Sequence, residues 1–343
     1  MIIFRADGNP NIGAGHIMRC LAIANKAKDF GEKSLFITSS DHFQKLITDN
    51  GHGFENLRSD YSMPKQADIF SALETYEPIA VFVDSYYITE DYLSVLHEKC
   101  HVKGIKLVYV DDRCVMPYSC DYLLNYNIFA QKSDYEQLYL KKSMPTLMLG
   151  SLYSPLRDEF IDVGSRVNLK LAKKIFVSTG GADIEHLTLD IVEKAIEEPK
   201  YTFHVVLGMM NPDRDKIVEK AKTSRNIILH ENVKHMRELM CLCDVAISAA
   251  GSTLYELCAT QTPSVTYVLA DNQIPAAEEF AKSGIMKNAG DIRQLGNKEL
   301  AARLREDAVL LADNYNERER VSGVMSTVVD GKGSARILEK VLG

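Results

Sequence analysis

The 343-residue sequence contains little that points to a membrane, a nucleic acid or a solenoid. No apolar run approaches the roughly 18–20 residues that span a bilayer, so we expect no stable membrane insertion. Arg5 and Asp7 stand almost at the start, so we expect no secretory signal. A formal net charge of −7 argues against nucleic-acid binding, although it permits local basic pockets for phosphates. There is no low-complexity linker and no short internal repeat.

The sequence also lacks the paired Cys-x-x-Cys units that zinc sites need. Its seven cysteines are scattered through apolar stretches, so we expect reduced, mostly buried thiols in a cytoplasmic environment. Cys241 and Cys243 are the closest pair. Two positions apart in a predicted helix, they would face different directions.

What the sequence does contain is a regular alternation of apolar runs with helical stretches. The composition, 46% hydrophobic and 25% charged, is that of a soluble globular protein long enough for two domains. Most apolar runs are continuous, as in parallel strands covered on both faces. The predicted strands are Ile2–Phe4, Leu35–Thr38, Ala80–Asp84, Leu107–Asp111, Tyr122–Asn125, Leu147–Leu149, Lys174–Ser178, Thr202–Leu207, Asn226–Leu229, Val245–Ser248 and Ser264–Val268.

This alternation predicts an α/β fold with two Rossmann-like, doubly wound domains that face a cleft. We place the domains at residues 1–155 and 168–343, joined near Ser151–Val167. Further helices are predicted at Lys298–Asn316 and Ala335–Leu342.

The segment from Arg5 to Arg19 is the most informative for function. Gly13 and Gly15 follow an apolar run and let the backbone approach a ligand closely. His16 would lie on the first turn of a helix, where free N–H groups attract anions and disfavour protonation of the imidazole. A neutral histidine there predicts a general base. The alternative is that His16 only caps the helix.

Polar residues also follow several predicted strands, at the edge where open parallel sheets bind ligands. The segments are Asp84-Ser85-Tyr86, Asp111-Asp112-Arg113 and Asn125-Tyr126-Asn127. They would share an edge with His16, or they close turns for structural reasons alone. Asp111-Asp112 admits a metal site, but no Asp-x-Asp motif stands in a suitable place, so we predict no metal and no other cofactor.

In the second half, Gly180 and Gly181 follow a predicted strand and suit a diphosphate, because the backbone can come close to it. Asn272 and Gln273 follow a later strand and offer polar groups to a sugar or phosphate, or merely close a turn.

A second glycine turn stands at Gly251, where Ser252 and Thr253 offer hydroxyl and N–H groups. Glu256 lies on the same side as Ser252, one turn later, and could accept both hydroxyls of a ribose. The alternative is a capping box formed by Thr253 and Glu256.

These motifs together resemble the UDP-2,4-diacetamido-2,4,6-trideoxy-β-L-altropyranose hydrolases of pseudaminic acid biosynthesis and related spore-coat polysaccharide proteins. The likeness covers nearly the whole chain. It rests on Arg5…Asp7…Gly13-x-Gly15-His16-x-Met18-Arg19, Gly150-x-x-Tyr153-x-x-Leu156-Arg157-x-Glu159-Phe160, Thr179-Gly180-Gly181-x-Asp183, Gly251-Ser252-Thr253-x-x-Glu256-x-x-Ala259 and Asp330-Gly331-x-Gly333. The nucleotide motif near Gly251 is shared with many glycosyltransferases of the two-domain B-type fold.

The resemblance implies this B-type fold and a metal-independent, inverting hydrolysis that releases UDP and the free sugar. It implies that residues 1–155 bind the sugar and supply catalysis, with His16 activating water, while residues 168–343 bind UDP. The predicted catalytic residues are His16, Asp7, Tyr86 and Asn127. The predicted residues for binding the UDP-sugar are Gly13, Gly15, Arg19, Gly180, Gly181, Gly251, Ser252, Thr253, Glu256, Asn272 and Gln273.

Helical material between roughly Asp291 and Ser326 distinguishes this chain from compact family members. We expect it to alter substrate choice or to mediate oligomerisation. Two other functions stay open at this point. One is a glycosyltransferase that uses a UDP-sugar donor, and the other is a non-catalytic nucleotide-sugar-binding protein of polysaccharide assembly.

Overall fold

The computed structural model describes residues 1–65, 67–208 and 210–343. These ranges form two compact units, Met1–Asp158 with Gly331–Gly343 and Glu159–Asp330. The described residues of the first unit contain a seven-stranded sheet, and those of the second contain a six-stranded sheet. The paired strands run parallel in both sheets, as the continuous apolar runs predicted.

In the first unit the strand order is β3-β2-β1-β4-β5-β6-β7. The strands are β1 Ile2–Ala6, β2 Ser34–Thr38, β3 Gly53–Asn56, β4 Ala80–Asp84, β5 Lys106–Val110, β6 Tyr122–Asn125 and β7 Thr146–Leu149. The order reverses between β1 and β4. In open α/β sheets, this switch point is where ligands bind, beyond the carboxyl ends of the strands.

The helices of the first unit cover both faces of its sheet. They are α1 Gly15–Ala27, α2 Gln44–Asp49, α3 Ala67–Tyr76, α4 Glu90–Val102, α5 Lys132–Leu138 and, at the end of the chain, α14 Gly333–Leu342. Strand residues alternate between the faces. Ile3 and Val81 pack in one core, while Phe4 stacks between Phe36 and Phe82 on the other face, with ring centroids 5.0 Å apart in each pair.

In the second unit the order is β10-β9-β8-β11-β12-β13, with the switch point between β8 and β11. The strands are β8 Lys174–Ser178, β9 Thr202–Leu207, β10 Ile227–Glu231, β11 Val245–Ala249, β12 Ser264–Val268 and β13 Lys287–Asp291. The helices are α6 Leu187–Ile196, α7 Arg214–Ala221, α8 Met236–Leu242, α9 Thr253–Ala259, α10 Ile274–Lys282, α11 Ile292–Leu295, α12 Asn297–Asp313 and α13 Tyr315–Met325.

Two strands were not predicted from the sequence, and both are edge strands. β3 has the sequence GFEN and β13 has the sequence KNAGD. An edge strand has one neighbour and is partly exposed, so it does not need the continuous apolar run that identifies a central strand.

The region between Asp291 and Ser326 is an integral part of the second unit. Helix α12 buries Leu300, Leu304 and Ala308 in the core of that unit's sheet. Helix α12 therefore contributes to the core of the second unit, and a role of this region in substrate choice or oligomerisation stays a prediction.

The end of the chain departs from the predicted second domain. Helix α14 belongs to the first unit, with Ile337, Leu338 and Val341 buried. A Cβ atom on Gly333 would lie 2.0 Å from the Ser154 carbonyl oxygen, so this glycine permits close contact with the Ser151–Tyr153 turn region. Assigning residues 331–343 to the second domain was wrong, because the apolar face of α14 packs elsewhere.

Each of the seven cysteines lies in the described ranges and is unpaired, and all except Cys114 and Cys241 are buried. Cys243 is buried while Cys241 is exposed, which confirms that the two face different directions. No helix in the described residues combines the length and the apolar character needed to cross a bilayer.

Candidate functional site

The turn between β1 and α1 is held by its own polar groups. The Oδ1 atom of Asn9 accepts hydrogen bonds from the N–H groups of Asn11 (2.8 Å) and Ile12 (3.1 Å). Gly13 has a φ of +76°, which an L-residue adopts only with strain. Cβ atoms on Gly13 or Gly15 would meet no heavy atom of the described structure within 4 Å. The glycines therefore leave open space in front of the helix start.

Helix α1 begins without a side-chain cap among the described residues, since its N-cap residue is Ala14. Its first turn closes with a hydrogen bond of 2.9 Å from the Met18 N–H to the Ala14 carbonyl. The N–H groups of the helical residues that precede Met18 have no carbonyl of the helix to bind, and they give this helix end its partial positive charge. His16 is the second residue of the helix and not its cap, so the capping interpretation was wrong.

His16 is buried against polar groups from neighbouring strand ends, with 6% of its surface exposed. Its ring packs against the Tyr86 ring in a T-shaped arrangement, with centroids 4.4 Å apart and planes at 83°. Its Nδ1 atom lies 3.8 Å from Oδ1 of Asp84 and has no hydrogen-bond partner in the part of the chain described. Burial lowers the pKa of His16 below its ordinary value and outweighs the opposing effect of Asp84. The imidazole is therefore neutral near pH 7, as a general base requires.

Arg19, one turn along α1, joins two buried carboxylates. Its Nε and Nη2 atoms donate to Asp84 at 2.6 and 2.5 Å. Its Nη1 atom donates to Asp112 at 2.8 Å and to the Tyr126 hydroxyl at 2.9 Å. Arg19 was predicted to bind the UDP-sugar. In the structure the guanidinium is buried and donates to protein acceptors, and its predicted role in binding the UDP-sugar stays a prediction.

Asp112 accepts hydrogen bonds from two more of the predicted catalytic side chains, Tyr86 and Asn127. The Tyr86 hydroxyl donates to it at 2.8 Å, and the Asn127 amide donates at 3.0 Å. Burial raises the pKa of Asp112, but the charge and hydrogen bond of Arg19, together with the effects of His16 and Tyr86, outweigh burial and hold the pKa below its ordinary value. Burial and the Asp112 carboxylate raise the pKa of Tyr86, which stays a neutral hydrogen-bond donor. The structure thus brings His16, Tyr86 and Asn127 together through Asp112.

Asp111 and Asp112 do not act as a pair. The Asp111 carboxylate accepts hydrogen bonds from the N–H groups of Arg113 (2.8 Å) and Cys114 (3.0 Å) and from the Tyr135 hydroxyl (2.7 Å). It therefore closes a turn, as the structural alternative predicted. In the described ranges, no group of three or more His, Cys, Asp or Glu side chains is arranged to hold a metal.

Asp7 lies at the carboxyl end of β1 and is 2% exposed. Its Oδ1 atom lies 2.7 Å from a guanidinium nitrogen of the buried Arg5 and accepts the Ser39 N–H at 3.0 Å. Its Oδ2 atom is buried and has no hydrogen-bond partner within the described residues. The structure gives Asp7 a buried ion pair, and its predicted catalytic role stays a prediction.

In the second unit, the residues after β8 form a glycine turn, which is followed by an aspartate at the start of α6. Gly180 has a φ of +94°, and a Cβ atom there would meet nothing within 4 Å among the described atoms. The Asp183 carboxylate accepts the N–H groups of Leu187 (3.1 Å) and Thr188 (3.0 Å) at the start of α6. Asp183 therefore stabilises the helix that follows. A Cβ atom on Gly208 would lie 2.3 Å from the carbonyl oxygen of Gly181, so a neighbouring loop packs on this turn.

The residues after β11 lie across the switch point from Gly180. Ser252 is the N-cap of α9, and its side chain makes no capping bond in the described structure. Thr253 is then the first helical residue, so Thr253 and Glu256 do not have the capping-box spacing and this alternative was wrong. Gln273 adjoins this turn, its Nε2 atom 3.7 Å from where a Gly251 Cβ would lie.

Gln273 also accepts the Leu269 N–H at 2.9 Å, and Asn272 is exposed beside it in a short 3-10 turn. Ser252 is exposed as well, while Thr253 and Glu256 are half-buried. Sequence reasoning noticed Asp84 and Asp112 only as strand-end residues and left them out of the site. Their central place depends on Arg19, and no local pattern in the sequence reports that contact.

No protein-family model matches the chain. It is 28% identical over 286 residues to the UDP-2,4-diacetamido-2,4,6-trideoxy-beta-L-altropyranose hydrolase of Campylobacter jejuni, covering 82% of this chain and 97% of that protein. It is 28% identical over 80% of its length to the uncharacterized protein MJ1062 of Methanocaldococcus jannaschii, of which it spans 57%.

The chain is also 26% identical over 80% of its length to the pseudaminic acid cytidylyltransferase and UDP-2,4-diacetamido-2,4,6-trideoxy-beta-L-altropyranose hydrolase of Helicobacter pylori. It spans only 46% of that protein, so it covers about half the length of two of these relatives. The spore coat polysaccharide biosynthesis protein SpsG of Bacillus subtilis is 23% identical over 49% of this chain and 49% of its own.

Solved structures show the same fold along the whole chain. The glycotransferase of kitacinnamycin has a TM-score of 0.66 at 15% identity and covers 99% of this chain and 98% of its own. MurG of Acinetobacter baumannii has a TM-score of 0.65 at 12% identity and covers 99% of both chains. A UDP-GlcNAc 2-epimerase of Neisseria meningitidis, bound to UDP-GlcNAc, has a TM-score of 0.60 at 15% identity and covers 100% of both.

At these low sequence identities the structural similarity concerns the fold alone, which is that of two-domain B-type glycosyltransferases. The sequence relatives add a narrower grouping, which agrees with the motifs around His16 and Gly251. The resemblance predicted from those motifs is confirmed, since the chain is similar over most of its length to the UDP-2,4-diacetamido-2,4,6-trideoxy-beta-L-altropyranose hydrolases and over about half of it to the spore coat protein SpsG.

Proposed function

We propose that the protein hydrolyses a UDP-linked diacetamido-trideoxy sugar to UDP and the free sugar, with His16 as general base. The observation that carries this proposal is the buried imidazole of His16 at the open start of α1, where burial lowers its pKa. It stands in a chain that spans 97% of a relative named as a hydrolase of this kind of substrate. The sugar belongs to the first unit in this proposal, and UDP belongs to the second.

The proposed reaction is a direct displacement by water. The water oxygen forms a bond to the anomeric carbon while the bond from that carbon to the UDP oxygen breaks, and UDP leaves with the electron pair. His16 takes one proton from the attacking water, and the configuration at the anomeric carbon inverts. Tyr86 packs against the imidazole ring and so limits its orientation. The neighbouring carboxylates stabilise the imidazolium that forms.

UDP is proposed to bind at the switch point of the second unit. Gly180 and Gly251 let the backbone approach the diphosphate, whose charge is balanced by backbone N–H groups and without a metal. Glu256 is proposed to accept the ribose hydroxyls, with Ser252, Thr253, Asn272 and Gln273 beside it. A glycosyltransferase is the second candidate, because the structural neighbours include glycosyltransferases.

The test is a panel of UDP-linked N-acetylated sugars incubated with the protein and EDTA, without any acceptor and followed by NMR. Release of UDP with a free sugar of inverted configuration is expected. Release of UDP only after an acceptor is added would replace hydrolysis by glycosyl transfer. Binding without release in both cases would favour a binding protein.

His16→Asn is expected to lower the rate of hydrolysis by about 10²–10⁴-fold, the usual contribution of a general base, while UDP still binds. His97→Asn is the matched control, because His97 on α4 also faces an aspartate, Asp121 at 3.2 Å. That aspartate directly precedes β6, so the pair lies at the opposite edge of the sheet from His16. Since the pKa of His16 is lowered, the activity should persist below pH 6.5 before it falls. Unchanged turnover in folded His16→Asn would exclude His16 as the base.

A further inference from the structure

His16 can act as a base only through a nitrogen that carries a lone pair, and its two ring nitrogens have different surroundings. Nδ1 is buried without a hydrogen-bond partner among the described residues, and it faces Oδ1 of Asp84 at 3.8 Å. Nε2 is not among such buried, unpartnered atoms. The surroundings of Nδ1 therefore determine which of the two nitrogens carries the proton.

We propose that Asp84 is a positioning residue that holds the His16 proton on Nδ1 and so leaves the Nε2 lone pair free for water. A neutral imidazole can present either an N–H dipole or a lone pair at Nδ1. Beside a carboxylate the N–H dipole is favoured and the lone pair is repelled. This inference rests on the proposed function of His16 and names the residue through which that function is set.

Asp84 cannot turn away from His16. It is the last residue of β4, paired with Ala6 of β1 across the switch point, and none of its side chain is exposed. Arg19 donates to both of its oxygens, and the Cys20 thiol lies 3.5 Å from Oδ2. The carboxylate is thus fixed with Oδ1 towards the imidazole.

The other charged groups near His16 are less suited to this task. Asp112 already accepts Arg19, the Tyr86 hydroxyl and the Asn127 amide, and Asp7 is paired with Arg5. Arg19 carries a positive charge and offers only donors. Among the groups that influence His16, Asp84 has the largest favourable effect on the charged ring.

The same placement supports the reaction after the proton has moved. When Nε2 takes a proton from water, the imidazolium carries its charge beside the Asp84 carboxylate. Arg19 is then the residue that holds both orienting carboxylates in place, Asp84 on the Nδ1 side and Asp112 behind Tyr86.

The inference is tested by the tautomer of His16, read from ¹⁵N-histidine NMR of the full chain above the pH at which the ring titrates. The His16 signals are assigned by their loss in His16→Asn. We expect the proton on Nδ1 in the wild type. A proton on Nε2 in the folded wild type would overturn the inference, whether or not the protein hydrolyses UDP-sugars.

Asp84→Asn supplies the second readout. Arg19 would hold the amide oxygen, so the amide N–H would face Nδ1 and move the imidazole proton to Nε2. We expect kcat to fall by about 10²–10⁴-fold with little change in KM, because the base is lost and the substrate contacts are kept. The acidic limb of the pH profile should move to lower pH, because the Asp84 charge raises the His16 pKa.

Cys20→Ala is the matched control, since it removes a contact to the other oxygen of Asp84 and should keep both tautomer and kcat. An unchanged tautomer and unchanged kcat in Asp84→Asn would refute the inference. Should that variant not fold, the wild-type tautomer still decides. Failure of the proposed function looks different, since a wild type with the proton on Nδ1 would then release no UDP.

Discussion

Replacing Arg19 by Met should destabilise the first unit severely, and the size follows from what the guanidinium touches. Arg19 is 6% exposed and lies between Asp84 and Asp112, which are 0% and 7% exposed. Met keeps the apolar volume but leaves two buried carboxylates without a cation. Removing one partner from a buried ion pair typically costs about 3–5 kcal/mol, so we expect a loss of at least about 3 kcal/mol at pH 7.

The loss should depend on pH, with a sign that the structure determines. In the wild type the pKa of Asp112 is lowered, so its contribution to stability is present at neutral pH and is lost as the pH falls through that value. Without Arg19, burial remains and raises the pKa of this carboxyl group. In the variant this carboxyl group is therefore protonated at a higher pH than in the wild type, which removes its buried charge. The difference in the free energy of unfolding between variant and wild type should shrink towards pH 4.

Urea unfolding followed by tyrosine fluorescence measures the loss, since the chain has 16 tyrosines and no tryptophan. Because two units unfold, hydrogen–deuterium exchange of β1 and β4 assigns the change to the first unit. The matched control is Arg293→Met, because Arg293 also bridges two carboxylates, Asp271 and Asp291, but lies at the surface. A loss no greater than that of Arg293→Met, or one that does not shrink in acid, would show that Arg19 does not stabilise the two buried carboxylates.

Two further predictions concern the end of the chain and the nucleotide site. Gly333→Ala should lower the stability of the first unit by at least about 1–3 kcal/mol, because its Cβ atom would lie 2.0 Å from the Ser154 carbonyl oxygen. Limited proteolysis should then release the residues of α14, whereas Gly323→Ala, where a Cβ atom meets no described neighbour within 4 Å, should not. Glu256→Gln should weaken UDP binding about tenfold in calorimetry if the carboxylate holds the ribose, since hydrogen bonds to charged groups contribute about 1.5–3 kcal/mol. Equal affinity of Glu256→Gln for UDP would remove this residue from the ribose site.

Much of the fold could be predicted because its central strands are buried on both faces. Every residue of β1, β4 and β12 is buried, and such strands need continuous apolar runs. The edge strands β3 and β13 lack this requirement, which is why the sequence did not reveal them. The position of α14 was also hidden, because an amphipathic helix shows that it has a partner and does not show which one.

For the candidate site, the sequence alone determined the local features. Gly13 before His16 reports a turn with positive φ, and the strand ends report where polar side chains leave the sheet. The tertiary structure decided which of them meet. Arg19 contacts Asp84 and Asp112, which lie 65 and 93 positions further along the chain, because strand order brings β4 and β5 beside the start of α1. A sequence pattern records burial and backbone shape at each position, whereas the pairing of buried charges depends on the order in which strands assemble.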